Sequence, residues 1–450
     1  MKCGLEIHGY IETEEKLFCK CKAIHGAKHS KANTNICPIC TAQPGCKPML
    51  PNSEAIKKSI QIALILGCKI NEKLVWQRKH YNWPDLPKGF QNTISGPYAI
   101  PVGVKGEFLG IGITECHLEE DPAAWNPETG EIDYNRSGCP LIEIVTDPDF
   151  KSPEQVVEWL KQLITTLSYI KAIDKLSGIK ADVNVSITNG ERVEIKNINS
   201  LTNIENAIKA EVKRQEKDLP KTKETRRYDE SKNTTTKMRS KENAEDYRFI
   251  SDPDLPIVKI DKKRVETLKK NLPETPKEKL DKLVKKFKID KKTAEVLTKK
   301  LEVVDFFEKV IEKINPELAV SWITVELLGK LNYVKKELEE VEIKAEHFIE
   351  LLQLIQEEKI TVLKAKEILQ KFIPKSFSPK ALGKENQVIS NKNEIEELCE
   401  KAIKENQKAV SDYKDGQENA LNFLIGQVMR LSNKRADFNS VKDLLKKRLK

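Results

Sequence analysis

DVNVSITNGERVEIKNI, residues 182–198, is the stretch that decides the fold class of the first part of this chain. Polar residues alternate with Val or Ile on each side of a turn, and this alternation predicts two antiparallel strands with one polar and one buried face. A two-residue turn at Asn189-Gly190 would place the two polar faces on opposite sides of the sheet. We therefore predict a three-residue loop that begins at Thr188, with Gly190 in a left-handed bulge conformation.

The three-residue loop also sets the register of the polar side chains. It places Asn184 opposite Glu194 and Asp182 opposite Lys196, and Asn199 follows just beyond the second strand. A face that carries Asp, Asn, Glu and Lys can hold nucleotide phosphates and their metal ion. An ordinary solvent-facing sheet is the alternative.

Composition and charge limit the class of protein. At 450 residues the chain is long enough for about two to four domains of about 150 residues each. Its 39% hydrophobic residues exclude an intrinsically disordered class, and its net charge of +9 suits either a phosphate-rich partner or a lysine-rich composition without one. We see no secretory signal and no apolar run of about 18 residues, so we expect a cytoplasmic protein that does not span a membrane.

The chain changes character twice. Residues 1–290 hold short alternating segments and most of the glycine, proline, tryptophan and histidine, which is typical of an α+β domain. In residues 291–373, Lys, Glu, Leu and Ile recur at helical spacing, and the same pattern resumes in residues 374–450 after a break at Phe372-Ile373-Pro374. We therefore predict an α+β domain with a mixed sheet, an all-helical domain and a small helical tail domain.

Two helices are marked within the first domain. Ser53 is expected to cap a helix that ends at Gly67. Ser152 and Gln155 form a capping-box pattern, with Pro153 at the first helical position. The apolar residues that follow each cap at helical spacing are predicted to belong to the core.

Four of the ten cysteines form two short pairs separated by fifteen residues, Cys19 with Cys21 and Cys37 with Cys40. Four thiolates at this spacing suit one tetrahedral zinc ion, and such a site is structural because no coordination position stays open. Free thiols are the alternative. His25 and His29 lie between the pairs, and we expect them to be exposed loop histidines.

Carboxylates and an imidazole occur in segments with strand-like alternation. A strand through LEIH would place Glu6 and His8 on one face, and Glu143 is a lone carboxylate in the apolar run LIEIV. A buried carboxylate requires a partner or a cation, and oxygen ligands indicate a hard cation such as Mg²⁺. From spacing alone, residues 117–121 (HLEED) favour a solvated acidic turn.

Basic segments are candidates for phosphate or carboxylate binding. Arg226-Arg227 and Lys237-x-Arg239 offer guanidinium groups that bind oxyanions through two hydrogen bonds. Residues 434–450 carry seven Lys or Arg against two Asp, which suits a surface that faces tRNA or a solvated helix face.

Six motifs in one order resemble the family of B subunits of aspartyl/glutamyl-tRNA(Asn/Gln) amidotransferase. They are GLEIH (4–8), HLEED (117–121), NRSGCPLIEIVTDPD (135–149), EIKNINS (194–200), ETRRYDE (224–230) and DYRFISDPDLP (246–256). The paired cysteines and the tail segment ALNFLIGQVMR also look like the family's.

This resemblance implies a fold and a reaction. Residues 1–290 would form the family's cradle, residues 291–373 a helical linker domain, and residues 374–450 a tRNA-contacting tail. The protein would use ATP and Mg²⁺ to phosphorylate the side-chain carboxylate of Glu-tRNA(Gln) or Asp-tRNA(Asn). Ammonia from the glutaminase (A) subunit would then displace the phosphate in a complex that includes the small C subunit. Phosphorylation is needed because oxide is a poor leaving group.

Site residues follow from the matched motifs. The resemblance implies Mg²⁺ ligation by His8, Glu120, Glu143 and Glu119, and structural zinc at the four paired cysteines. It assigns catalysis to Glu6, Lys79 and Lys196, and nucleotide binding to Asp182, Asn184, Glu194, Asn199, Arg78 and Tyr81. The sequence departs from relatives at His80, Asn82, Trp83, Lys434 and Phe438.

Two other classes of protein compete with this interpretation. A zinc-containing RNA-binding scaffold would bind without turnover, although carboxylates facing phosphates without a cation argue against it. A synthetase-like enzyme would form an adenylate and release AMP rather than ADP.

Overall fold

The computed structural model describes residues 1–24, 31–174, 179–198, 200–240, 247–383, 386–389 and 391–449. Contacts divide the chain into two units, Met1–Thr275 and Pro276–Lys450. The first unit is built on a mixed sheet and the second is helical, so the predicted α+β class is confirmed. The further boundary near residue 373 stays a prediction.

The described strands lie in the first unit. They are β1 (Lys2–Tyr10), β2 (Lys69–Ile70), β3 (Lys73–Leu74), β4 (Gln77–His80), β5 (Gln91–Thr93), β6 (Gly103–Phe108), β7 (Ile111–Glu120), β8 (Ala124–Trp125), β9 (Ile132–Asp133), β10 (Pro140–Thr146), β11 (Ile179–Ser186), β12 (Val193–Ile198), β13 (Glu224–Asp229), β14 (Thr234–Ser240), β15 (Arg248–Ser251) and β16 (Val258–Lys259).

The described α-helices begin in the first unit with α1 to α4 and continue through the second unit with α5 to α15. They are α1 (Ser53–Ile65), α2 (Pro153–Tyr169), α3 (Leu201–Lys217), α4 (Lys262–Lys270), α5 (Pro276–Phe287), α6 (Lys291–Leu297), α7 (Leu301–Ile311), α8 (Pro316–Ser321), α9 (Leu328–Tyr333), α10 (Ala345–Gln356), α11 (Val362–Lys371), α12 (Lys392–Glu405), α13 (Gln407–Lys414), α14 (Glu418–Leu431) and α15 (Phe438–Leu449). Within the described residues, no helix is both long and apolar enough to cross a bilayer.

A twelve-stranded sheet organises the first unit. Its order is β14-β13-β12-β11-β1-β10-β7-β5-β4-β15, with β6 beside β7 and β2 beside β6. The β12–β13 pair is parallel and the neighbouring pairs are antiparallel. The N-terminal strand β1 lies between β10 and β11, so it joins two segments that are distant in sequence.

One face of this sheet is core. Leu5, Ile7, Val183 and Ile195 are almost fully buried and belong to one hydrophobic cluster with residues of α1, α2 and α3. Because strand side chains alternate between the two faces, the polar residues between them lie together on the other face.

The 182–198 hairpin has the predicted register close to its turn and a different turn. Asn184 lies opposite Glu194, as expected, but the register shifts between Ala181 and Val183, so Asp182 is not regularly paired with Lys196 along the backbone. The left-handed residue is Asn189, with φ of 64°, so the prediction of a left-handed Gly190 was wrong. The Gly190 N–H donates to the Ile187 carbonyl at 3.1 Å, which makes Asn189 the third residue of a tight turn. That position accommodates positive φ, and Asn tolerates it.

The two helix caps differ from expectation in detail. Asn52, not Ser53, caps α1, since its side chain accepts from the N–H groups of Glu54 and Ala55. Ser152 caps α2 as predicted and accepts from the Gln155 N–H. The Gln155 side chain accepts at 2.8 Å from the N–H of Lys151 rather than from that of Ser152, so the capping box is shifted by one residue.

The second unit is held by apolar helix faces. The last four helices, α12 to α15, share a core that includes Cys399, Leu424, Val428 and Leu445, all fully buried. This packing supports treating the tail helices as one structural element.

Candidate metal and phosphate site

Neighbouring strands direct ionisable side chains into one pocket on the polar face of the sheet. The pocket has a volume of about 400 Å³ and is lined by side chains of several strands and their loops. The acidic and imidazole side chains at its wall are Glu6, His8, Asp85, Glu119, Asp121, Glu143 and Asp182. The basic side chains at its wall are Lys79, Arg136, Lys180 and Lys196.

His8, Glu119 and Glu143 form a triad that can hold a metal ion. The Nε2 atom of His8 lies 3.8 Å from Oε1 of Glu119 and 3.9 Å from Oε2 of Glu143. One ligand atom from each residue lies within 4.8 Å of the others. Ligands of an octahedral Mg²⁺ at about 2.1 Å are about 3 to 4 Å apart, so the donor set fits the ion with small side-chain adjustments.

Electrostatics within the triad also favour a cation. Burial opposes ionisation of Glu143, but the nearby imidazole of His117 and the charges of His8 and Lys79 lower its pKa to about 2. Burial, followed by repulsion from Glu143, raises the pKa of Glu119. Ionisation of both carboxylates in one buried site is therefore unfavourable unless a positive charge lies between them.

His117 supports the triad from the same face of β7. Its Nε2 atom is 2.5 Å from Oε2 of Glu115, and its Nδ1 atom is 3.8 Å from Oε1 of Glu143. Burial lowers the pKa of His117, but the hydrogen bond with Glu115 and the negative charge of Glu143 outweigh that effect and raise it to about 9.

Residues 117–121 do not form the solvated acidic turn that spacing alone favoured. Residues 111–120 are strand β7, and the side chains from His117 to Asp121 are buried. The apolar Leu118, which faces the core, could have indicated a strand here. In a strand, His117 and Glu119 lie on one face, and Leu118 and Glu120 lie on the other.

Glu120 is accordingly not beside the triad. It forms an ion pair with Lys88 and accepts from the Asn92 N–H at 2.8 Å. The structure brings Glu119, rather than Glu120, to His8 and Glu143, because the pairing of β7 with β10 sets Glu119 beside Leu141 on the pocket side.

A second polar cluster lies on the adjacent strands. One carboxylate oxygen from each of Glu6, Asp182 and Glu194 lies within 4.8 Å of the others. Lys196 pairs with Asp182 at 3.2 Å and with Glu194 at 2.7 Å. Burial opposes the charge of Lys196, but these carboxylates raise its pKa. For Glu6, burial and then repulsion by Glu143 raise the pKa.

Asn184 joins this cluster. Its Nδ2 donates to Oε1 of Glu6 at 3.2 Å, while its Oδ1 is buried and has no hydrogen-bond partner among the described residues. Such an oxygen is available to a cation or a donor group. Asn199 lies outside the described residues.

The segment around β4 divides between the two faces. Lys79 and Tyr81 line the pocket, and the Lys79 ammonium lies 4.9 Å from the Tyr247 ring centre. Arg78 is on the opposite face, where its Nε donates to Asp252 at 3.0 Å, so the structure does not bring it to the pocket.

Arg226 and Arg227 also have different environments. Arg226 pairs with Glu224 at 2.9 Å and lies 3.5 Å from the fully buried Glu211, so it holds β13 to α3 rather than offering its charge to a ligand. Arg227 is exposed and lies opposite Lys196 in the sheet register. Of the two arginines, Arg227 is therefore the one available to a phosphate.

Arg136 is a pocket residue that the sequence analysis missed as a site residue. Its Nε lies 3.4 Å from Oδ2 of Asp121, and Tyr10 donates to the same carboxylate at 2.9 Å. Its position within the NRSGCPLIEIV motif could have identified it as a site residue from the sequence. Tyr10, Asp121 and Lys180 were likewise not assigned to the site.

The paired cysteines lie together at a different place in the first unit. One Sγ atom from each lies within 4.8 Å of the others. A tetrahedral zinc with Zn–S bonds of about 2.3 Å needs sulfur atoms about 3.8 Å apart, so the four thiols fit zinc after slight contraction. The hydrogen bond from Cys19, helped by the Cys37 N–H and by Lys16, lowers the pKa of Cys40 to about 4. His25 and His29 lie outside the described residues.

Fold and site together define a class of protein: an α+β domain whose sheet carries a His–Glu–Glu triad that can hold a metal ion beside lysine and arginine side chains, an arrangement suited to chemistry on phosphates. Comparisons with known proteins narrow this class. Residues 1–266 match the GatB/GatE catalytic domain, and residues 305–449 match the GatB domain.

The curated relatives agree over the whole length. The chain is 46% identical to the B subunit of the aspartyl/glutamyl-tRNA(Asn/Gln) amidotransferase of Methanocaldococcus jannaschii, covering 100% of this chain and 98% of the relative. It is 42% identical to the protein of the same description from Methanosphaera stadtmanae, covering 100% and 99%. The chain therefore belongs to the family of B subunits of aspartyl/glutamyl-tRNA(Asn/Gln) amidotransferase, as its motifs predicted.

Proposed function

We propose that this chain uses ATP to phosphorylate the side-chain carboxylate of Glu-tRNA(Gln), Asp-tRNA(Asn) or both. Ammonia from the glutaminase (A) subunit then displaces the phosphate and forms the amide, in a cytoplasmic heterotrimer with the small C subunit. The observation that carries this proposal is the His8–Glu119–Glu143 triad next to Lys79 and Lys196.

The pocket residues have distinct roles in this proposal. His8, Glu119 and Glu143 would hold Mg²⁺, which when bound offsets the negative charge of the transferring phosphoryl group. Lys79 and Lys196 bind phosphate oxygens from either side of the triad. The position of Lys196 is fixed by its two ion pairs, so its charge is oriented before a ligand arrives.

Glu6 is suited to a proton-transfer role. Ammonia that attacks the acyl phosphate must lose a proton as the phosphate leaves. Burial and neighbouring carboxylates raise the pKa of Glu6, so its carboxylate is a better proton acceptor than an exposed glutamate. Asp182, Asn184 and Glu194 orient Glu6 and Lys196 and contribute oxygen atoms to the nucleotide side of the pocket.

Zinc has a structural role in this proposal. Four thiolates leave no coordination position for a substrate, and the cysteines do not line the pocket. The ion would fix the segment that follows β1 and so support the sheet that carries the triad.

The test is reconstitution with the glutaminase and small subunits. Glu-tRNA(Gln) and Asp-tRNA(Asn) are supplied separately with ATP, Mg²⁺ and glutamine, and ADP and amidated tRNA are measured. We expect at least one tRNA to be amidated with release of ADP. No amidation of either tRNA contradicts the proposal, and AMP in place of ADP indicates an adenylate-forming enzyme.

A matched pair of variants tests the metal triad. Glu143→Ala should abolish tRNA-dependent ATP hydrolysis while tRNA binding persists. Glu107→Ala removes an exposed carboxylate from β6 of the same sheet and should leave turnover unchanged. ATP hydrolysis that survives Glu143→Ala shows that the triad is not the metal site, and tRNA binding with no turnover in the unaltered chain indicates a binding scaffold.

A further inference from the structure

Lys16 is a buried lysine for which the pocket chemistry has no role. It lies between β1 and the first cysteine pair and is 1% exposed. Its ammonium donates to the carbonyls of Asn35 at 3.1 Å and Tyr134 at 3.3 Å, and to Sγ of Cys40 at 3.6 Å. Among the described residues, no carboxylate lies within ion-pair distance of it.

A buried ammonium in this position needs a compensating negative charge. Two carbonyl dipoles stabilise it in part, but burial of an unpaired charge is strongly unfavourable. The sulfur of Cys40 is the group among its contacts that can carry a full negative charge. Four thiolates outnumber the two charges of a zinc ion, so the occupied centre is anionic and itself needs a nearby cation.

We propose that Lys16 is the counter-ion of the zinc–thiolate centre, and that it links this centre to the loop at residues 134–138 that carries Arg136 into the pocket. The inference rests on the proposed zinc occupancy. It adds a residue that stabilises the metal without ligating it, and a route by which metal binding influences the phosphate pocket.

The hydrogen bonds around Lys16 supply the link. Besides the Lys16 bond to Tyr134, Ser137 donates from Oγ to the Cys40 carbonyl at 3.0 Å, and the Leu17 N–H donates to the Gly138 carbonyl at 2.8 Å. The 134–138 loop is therefore tied on both sides of Arg136 to the segments that carry the cysteines.

Arg136 then connects the loop to the pocket wall. Its guanidinium donates through Nε to the Pro122 carbonyl at 3.0 Å and lies 3.4 Å from the Asp121 carboxylate. Loss of the metal or of the Lys16 charge should loosen the loop and reduce the precision with which Arg136 is held.

The first test measures zinc affinity of the reduced full-length chain by competition with a metallochromic chelator. Lys16→Met removes the charge and keeps the length of the side chain, and Lys16→Gln keeps hydrogen-bonding groups without charge. We expect both to weaken zinc binding by about 10- to 100-fold, the usual effect of losing a partner of a metal ligand. The control is Lys20→Met, since Lys20 is 70% exposed and pairs with Glu15, and it should stay within about two-fold of the unaltered chain.

The second test needs no variant and therefore does not depend on the folding of one. Hydrogen–deuterium exchange of the unaltered chain is compared with and without a zinc chelator. Zinc removal should accelerate exchange at residues 134–138 more than at the β6–β7 turn, residues 109–110, which is distant in sequence from the cysteines. Equal exchange at 134–138 in both states overturns the link between zinc and the loop.

The outcomes separate this inference from the proposed function. If the unaltered chain binds no zinc, the structural zinc of the proposed function is wrong as well. If it binds zinc tightly and a folded Lys16→Met or Lys16→Gln variant binds it equally well, only the counter-ion role of Lys16 is overturned.

Discussion

Replacing Glu119 and Glu120 one at a time gives the sharpest test of the site, because adjacent residues on β7 lie on opposite faces of the sheet. Glu119→Gln removes one of two buried carboxylates that face His8. Two unit charges no more than 4.8 Å apart repel by at least about 3.5 kcal/mol at an effective dielectric constant of about 20. A bound cation relieves this repulsion, so the variant loses part of the driving force for metal binding.

Because the pocket is open to water, we expect solvent screening to reduce this repulsion to about 2 kcal/mol. Losing that contribution to metal binding corresponds to a roughly thirty-fold weaker Mg²⁺ affinity for Glu119→Gln. The metal-free Glu119→Gln protein should be as stable as the unaltered chain or more so, because the repulsion is absent. Glu120→Gln has the opposite signature. It weakens the ion pair with Lys88 and should cost about 1 to 3 kcal/mol of stability, while Mg²⁺ affinity stays the same.

The assay combines isothermal titration of the full chain with MgCl₂ and thermal unfolding without metal. Glu119→Gln should weaken Mg²⁺ binding without lowering the Tm, and Glu120→Gln should lower the Tm without weakening Mg²⁺ binding. If Glu120→Gln weakens Mg²⁺ binding as much as Glu119→Gln does, the assignment of Glu119 to the metal is refuted.

Three further predictions concern the surrounding structure. Cys37→Ser should lower the zinc content of the purified chain and its Tm, whereas Cys46→Ser, an exposed cysteine outside the cluster, should change neither; metal analysis and thermal unfolding decide this. Arg226→Ala should destabilise the first unit by about 1 to 3 kcal/mol because the buried Glu211 loses one of its two arginine partners and keeps Arg214, whereas Arg227→Ala should keep the stability and raise the KM for ATP. Equal effects of the two arginine variants on KM would contradict the assignment. Ser152→Ala should cost about 1 kcal/mol in urea unfolding through loss of the helix cap, and an unchanged midpoint would show that the cap bond contributes nothing.

Local patterns predicted several elements well. Alternation in DVNVSIT and RVEIKNI places Asn184 opposite Glu194, because a buried apolar face leaves a hairpin few acceptable registers. The spacing of the cysteines predicts their cluster, since four residues in two short pairs can close on one point once the intervening loop turns back.

Errors arose where two residues compete for one local role. Asn52 and Ser53 can both cap α1, and Asn189 and Gly190 can both adopt positive φ. Which residue of each pair does so depends on the backbone geometry, which local sequence patterns do not predict. The prediction that residues 117–121 form a solvated turn was wrong for another reason. A run of charges is usually exposed, and its burial depends on the cationic partners that other strands supply.

The sequence by itself determined that the first part is an α+β domain with one polar and one apolar sheet face, that four cysteines form a cluster, and, through its motifs, the family of the chain. These properties depend on periodicity and short spacings, which act within a few residues. Tertiary structure decided which charges meet. Strand β1 lies between β10 and β11, and this pairing of distant segments sets His8 opposite Glu143 and Glu6 opposite Asp182. Burial on one face then assigned Glu119 to the pocket and Glu120 to Lys88, because side chains in a strand alternate and only the assembled sheet fixes which side is solvent.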